Sequence, residues 1–160
     1  VNGKVVGGFI VIIAAIAGIA MYWLQEYAFY TPAAFEAGNE IRLTVIESGL
    51  PEAILAENIE GIDADSSPLR FRACFRTPMS QAMLTETYET YAKAEPLNAP
   101  TWFGCFDATA IGEALEKGEA IAFLSQANIA PQVDRVVAVF PDGRAFAWHQ
   151  LSPDVEPVAQ

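Results

Sequence analysis

The sequence predicts an α+β protein: one N-terminal transmembrane helix followed by a small domain with an antiparallel sheet and two helices. Three observations predict it. Val5 to Leu24 is a run of twenty residues without one charge, long enough to cross a bilayer core as a helix. After it come short stretches in which apolar and polar residues alternate, the period of half-buried strands. Between these lie two helix start signals, Thr77 before Pro78 and Asp107 before an apolar-periodic segment.

Residues 1–30 read as the anchor. A cleaved signal peptide would use Lys4 as its basic flank, Val5 to Ala17 as its apolar region and Ala14, Ala17, Gly18 and Ala20 as a cleavage zone. The apolar run instead continues through these small residues into Met21, Tyr22, Trp23 and Leu24, which favours a retained span. Tyr22, Trp23, Tyr27 and Tyr30 concentrate at one end of it and suit the headgroup layer of a bilayer. Lys4 precedes the helix and Arg42 is the next basic residue after it. Positive charge stays preferentially on the cytoplasmic side, so the expected placement is the bacterial inner membrane with the N-terminus cytoplasmic and the domain periplasmic.

The anchor has two unlike faces. Gly7, Val11, Ala14 and Gly18 fall on one stripe, while Phe9, Ile12, Ile13, Ile16 and Ile19 cover much of the rest. Small residues let a second helix approach closely, and close packing drives association between membrane helices. The stripe is therefore expected to pack on a partner helix; exposure of these residues to lipid is the alternative.

Residues 31–39 read as a juxtamembrane connector, because proline disfavours helical geometry before it and Pro32 follows directly on Thr31. The domain, 40–152, opens with Glu40 to Glu47, where Ile41, Leu43 and Val45 alternate with Arg42, Thr44 and Ile46. Ser48 to Pro51 turns the chain, and Ala53 to Ile62 satisfies helix and strand spacing equally. Leu69 to Arg76 is the clearest strand, with Leu69, Phe71, Ala73 and Phe75 on one face and Arg70, Arg72, Cys74 and Arg76 on the other. Thr77 is expected to cap a helix running to about Ala94 that buries Met79, Ala82, Met83 and Tyr91. Asp107 caps a second helix through Lys117, closed by Gly118. Ala120 to Gln126, Val133 to Phe140 and Arg144 to Leu151 read as strands, the last two joined by a Pro141–Asp142–Gly143 turn. Residues 153–160 read as a flexible tail. Ala73-Cys74-Phe75 and Gly104-Cys105-Phe106 echo each other before the two helices, which suggests two similar corners side by side.

The charge balance is acidic, nine Lys plus Arg against twenty Asp plus Glu for a net −11. Such a domain repels nucleic acid and anionic headgroups and can attract a basic soluble protein. Cys74 and Cys105 are the only cysteines. An oxidising compartment favours an internal bridge between them, and two free thiols or bonds to another chain are the alternatives.

Signals of chemistry are sparse. There is no CxxC, GxSxG, HExxH or phosphate-binding glycine loop. The lone His149 reads as structural, and Asp63, Asp65 and Ser67 match only half of a calcium loop, with Pro68 where glycine is needed. No catalytic residue, metal site or cofactor is therefore expected. Arg70, Arg72 and Arg76 interrupt the acidic balance on one strand face. They are the candidate contact surface for an anionic ligand or carboxylate-rich partner, the alternative being pairing with the domain's own glutamates.

The opening NGKVVGGFIVIIAAIAGIAMYWLQEYAFY, the RACFR strand and the late FPDGRAFAW hairpin together resemble a family of short single-pass membrane proteins of unassigned function in alphaproteobacteria. The resemblance spans nearly the whole chain and implies no catalytic residues. Taken with the anchor, it makes a non-catalytic accessory subunit of an integral inner-membrane complex the leading expectation. A respiratory complex such as a cytochrome c oxidase, fed by a basic cytochrome c, would suit the acidic domain. A membrane-anchored periplasmic sensor using the arginine strand is the second expectation, and an envelope enzyme built on carboxylates the third.

Overall fold

The computed structural model describes residues 2–153; the expected tail, beyond Pro153, lies outside them. Helix α1, Gly3–Trp23, starts at Asn2, whose side chain accepts a hydrogen bond from the Lys4 backbone N–H at 3.1 Å. It continues through a π-helical turn, Leu24–Ala28, so that 26 residues form one rod with no buried residue. At 1.5 Å per residue the rod is about 39 Å long, more than the roughly 30 Å hydrocarbon core. Among the described residues there is thus a single helix, at the N-terminal end, long and apolar enough to span a membrane. The rod stops at Ala28, two residues short of the expected end, because Thr31 and Pro32 are already committed to a sheet.

The remaining elements are β1 (Thr31–Pro32), β2 (Arg42–Thr44), β3 (Pro51–Ala53), β4 (Glu57–Asp63), β5 (Arg72–Arg76), α2 (Gln81–Thr87), α3 (Ala108–Lys117), β6 (Ile121–Ala130), β7 (Val133–Val139) and β8 (Arg144–Leu151). Six strands form one antiparallel sheet in the order β1-β4-β5-β8-β7-β6, and β2 and β3 form a separate hairpin. The architecture is the expected α+β one.

Both faces of the sheet are covered, which explains why β7 and β8 are apolar on both sides. On one face Phe71, Ala73, Phe75, Val137, Val139, Ala145 and Ala147 pack under the β2–β3 hairpin and α2, through Ile41, Leu43, Ile54 and Leu84. On the other, Cys74, Val136, Ala138, Phe146 and Trp148 lie under α3 and the segment before it, through Phe103, Phe106 and Ile111. Trp148 is fully buried and its indole N–H donates to Gln150 Oε1 at 2.9 Å. A buried tryptophan of this size carries a large hydrophobic contribution provided its N–H is satisfied, as it is here.

The β7–β8 turn follows the sequence reading: Gly143 takes φ +89°, and Phe140 N–H donates to the Arg144 carbonyl at 2.8 Å. A side chain at Gly143 would also meet the Thr77 carbonyl at 2.8 Å, so two independent constraints ask for glycine there. Helix α3 also matches, with Asp107 Oδ1 accepting from Ala110 N–H at 3.1 Å and Gly118 in the left-handed region.

Helix α2 differs from expectation at both ends. Ser80 is the cap, accepting from Met83 N–H at 3.2 Å, while Thr77 is held in an extended position by its N–H bond to the Gly143 carbonyl. The helix ends at Thr87 because Tyr88 and Thr90 bridge in extended form to Val45 and Phe123. Pairing with strands on two sides outweighs continuing a solvent-facing helix. Leu84, not Met83 or Ala82, is the buried residue. The expected strand Glu40 to Glu47 shrinks to β2, and the ambiguous Ala53 to Ile62 resolves into the end of β3 and the start of β4. Asn58 enters β4 at φ +52° beside a register shift, a bulge that periodicity does not reveal.

Cys74 and Cys105 are bonded, with Cα atoms 6.3 Å apart. Their sequence echo does not extend to structure: Cys74 sits inside β5, whereas Cys105 lies in a turn before α3.

Candidate functional site

Three places in the fold bear on function, two of them built from residues that the sequence singled out. The first is the bare surface of α1. Gly7, Val11, Ala14 and Gly18 are all exposed, and a side chain added at Gly7 or Gly18 would meet nothing within 4 Å. Among the described residues nothing covers the stripe, which leaves it open to another helix.

The second is the junction where the rod meets the domain. Glu26 Oε2 accepts from the Thr101 backbone N–H at 3.0 Å and from its hydroxyl at 3.2 Å, and the Trp102 indole N–H donates to the Glu26 carbonyl. The Tyr27 ring stacks on Trp102 at 6.0 Å, and Tyr30 meets the same indole edge-on at 5.9 Å. Tyr22 packs edge-on against Tyr27 at 6.3 Å, while Trp23 stays exposed. The expected interface aromatics are thus joined by Trp102, which sequence position alone gave no reason to place beside them. The connector is equally fixed. Ala33 N–H donates to the Gly61 carbonyl at 2.9 Å, and the Phe35 ring lies over Gly61 so closely that a Cβ there would be 2.6 Å from it.

The candidate contact surface of three arginines does not form. Arg72 is 4 % exposed and spends its donors on the carbonyls of Leu69, Phe71, Leu97 and Asn98, at 2.6 to 3.0 Å. Arg70 precedes β5 and lies over the Tyr30 ring at 5.4 Å, and only Arg76 is exposed, donating to the Asp142 carbonyl at 2.9 Å. The alternation along the strand is as expected, but Arg72 and Cys74 on that face lie under the segment before α3 instead of in solvent. Burial lowers Arg72 from its ordinary value to about 10, which leaves it charged at neutral pH.

The third place was not anticipated. The Phe71 ring is flanked by two groups, with His149 stacked at 4.7 Å and the Arg135 guanidinium 4.1 Å from its centroid. Arg135 Nε donates to His149 Nε2 at 2.9 Å, and His149 Nδ1 faces the Pro68 carbonyl at 2.7 Å. These partners assign the neutral tautomer with its proton on Nδ1, because Nε2 must accept. Burial, then the Arg135 charge, push His149 from 6.5 down to about 4. The sign follows directly. The unfolded chain takes up this proton first, so stability is present above about pH 6.5 and is lost as the pH falls toward 4. Chemical unfolding at pH 7 and pH 4 should show about 2 to 3 kcal/mol more acid loss in the wild type than in His149→Gln. Equal losses would show that His149 is not held neutral.

Among the described residues no group of three or more His, Cys, Asp and Glu is placed to hold a metal ion. No curated protein and no solved structure matches the chain. The family model described as "Family of unknown function (DUF6446)" matches residues 41–158, which is the whole of the domain after the connector. The chain therefore belongs to this domain family, and the long apolar helix precedes the matched region.

Proposed function

We propose that the chain is a non-catalytic accessory subunit of an integral inner-membrane complex in an alphaproteobacterium. The N-terminus is cytoplasmic, on the side of Lys4, and the domain is periplasmic, where a bond between Cys74 and Cys105 is sustained by an oxidising environment. The observation that carries the reading is the junction. A sensor on a tether needs only a flexible link, whereas here Glu26, Tyr27 and Tyr30 lock the rod to Thr101 and Trp102. A domain held in one orientation on a helix with a free small-residue stripe suits a subunit that docks by its helix and presents one fixed face. Twenty acidic side chains against nine basic ones favour a respiratory complex that receives electrons from a basic cytochrome c, such as a cytochrome c oxidase.

The test is recovery of tagged protein from native membranes in mild detergent, followed by mass spectrometry. One membrane complex should be recovered in stoichiometric amounts with the wild type and lost when Ala14 and Gly18 are both changed to leucine, which fills the stripe. Recovery of the chain alone in both cases would reject the reading.

A further inference from the structure

We propose that the cleft between the 33–42 segment and the face of the sheet binds a small zwitterion of the amino-acid class, with its carboxylate on Arg135. This goes beyond the accessory-subunit reading and does not depend on it.

The cleft has a volume of about 320 Å³ and is lined by Glu36, Glu40, Arg42, Asp63, Phe71 and Arg135, among others. Arg135 is organised before any ligand arrives. Phe71 supports one face of its guanidinium and His149 Nε2 accepts a hydrogen bond from its Nε–H, while no hydrogen bond from the two terminal nitrogens is found among the described residues. Arg135 lines the cleft, and a planar guanidinium fork matches the two oxygens of a carboxylate. Asp63 is close enough to favour the charge on Arg135, yet no ion pair joins the two.

The other charges around the cleft supply the second half of the recognition. The ion pair found among the described residues is Arg144 with Asp142, far away in the β7–β8 turn. None of the cleft carboxylates reaches Arg42 or Arg135 within salt-bridge distance. Each is held by a local bond instead: Glu40 Oε1 by Gly38 N–H at 2.9 Å, Asp63 Oδ1 by Ala64 N–H at 2.8 Å, and Glu36 Oε2 by Asn39 Nδ2 at 3.4 Å. Arg42 is likewise turned by Asn39, its Nε donating to Oδ1 at 2.8 Å. Opposite charges thus line one cleft without closing into ion pairs. A molecule carrying both signs satisfies both sides, while a simple anion meets repulsion from three carboxylates and a simple cation from two arginines.

The experiment is calorimetric titration of the full chain in detergent with a panel of free amino acids, with succinate and putrescine as ligands of one sign. Saturable binding of at least one amino acid and none of succinate or putrescine is the expected result. Arg135→Gln should weaken that binding by about tenfold or more. Because Arg135 also supports Phe71 and His149, Ala34→Trp provides a separate check: it fills the cleft from an exposed position and should abolish binding with the thermal midpoint kept. Absence of heat with every amino acid, equal binding of succinate or putrescine, or unchanged binding in Ala34→Trp would each overturn the proposal.

Discussion

Arg72→Met is expected to destabilise the domain by about 3 kcal/mol or more, as measured by urea unfolding of the full chain in detergent. The substitution keeps most of the volume and the apolar contact with the Phe106 ring, 5.8 Å from the guanidinium carbon, so the loss reports on hydrogen bonds. Four backbone carbonyls, those of Leu69, Phe71, Leu97 and Asn98, lose their donors at once. A buried acceptor left unsatisfied costs about 1 to 3 kcal/mol, and water entering at Leu97 and Asn98 will recover part of it. Arg72→Lys should recover only a minor part, since an ammonium cannot reach the Leu69 and Phe71 carbonyls and those of Leu97 and Asn98 together, as the spread of a guanidinium fork does. A loss below about 1 kcal/mol for Arg72→Met would mean that the carbonyls find other partners.

Removing the disulfide by Cys74→Ala with Cys105→Ala should cost about 3 to 4 kcal/mol in the chain-entropy view, given a separation of 31 residues. The two effects share one structural target. Arg72 holds Leu97 and Asn98, Cys74 holds Cys105, and the segment between carries Trp102 and Phe103. Once either tie is cut, the segment has less to lose from the second. The combined variant should therefore fall short of the sum of the separate losses, by more than the few tenths of a kcal/mol typical of independent sites. Strict additivity would show that the segment is held elsewhere.

Elements whose boundaries are set by local chemistry were legible in the sequence. The apolar rod, α3 between Asp107 and Gly118, and the β7–β8 turn at Gly143 each follow from a cap, a left-handed glycine or an uninterrupted apolar run. Elements decided by distant partners were not. Thr77 and Pro78 carry as good a helix start as Ser80, and only the bond from Thr77 N–H to the Gly143 carbonyl takes Thr77 out of contention. Tyr88 reads as helix until Val45 pairs with it and Phe123 pairs with Thr90 just beyond.

The functional residues divide the same way. Pairing of Cys74 with Cys105 and the gathering of tyrosines at the end of the rod were readable from count and position. The three arginines were misplaced because alternation reports which residues share a face, not which face meets solvent. With both faces of the sheet covered, β5 has no solvent side for Arg72 to occupy. Arg135 was passed over for the converse reason. A lone arginine within VDRVVAV carries no motif, and its significance comes from Phe71 and His149, 64 and 14 residues away in sequence. The signal available was an arginine flanked by buried strand positions, a place where a charged side chain needs partners.

The fixed orientation of the domain on its long apolar helix is most directly measured by the distance between spin labels at Ala20→Cys and Glu113→Cys, in lipid nanodiscs with the native disulfide intact. Both positions are exposed, one on the rod and one on α3. A single narrow distance is expected for the wild-type junction, broadening when Glu26→Gln and Trp102→Ala remove the clasp. A distribution already broad with the junction intact would contradict it, and would make the helix a tether and not a mount.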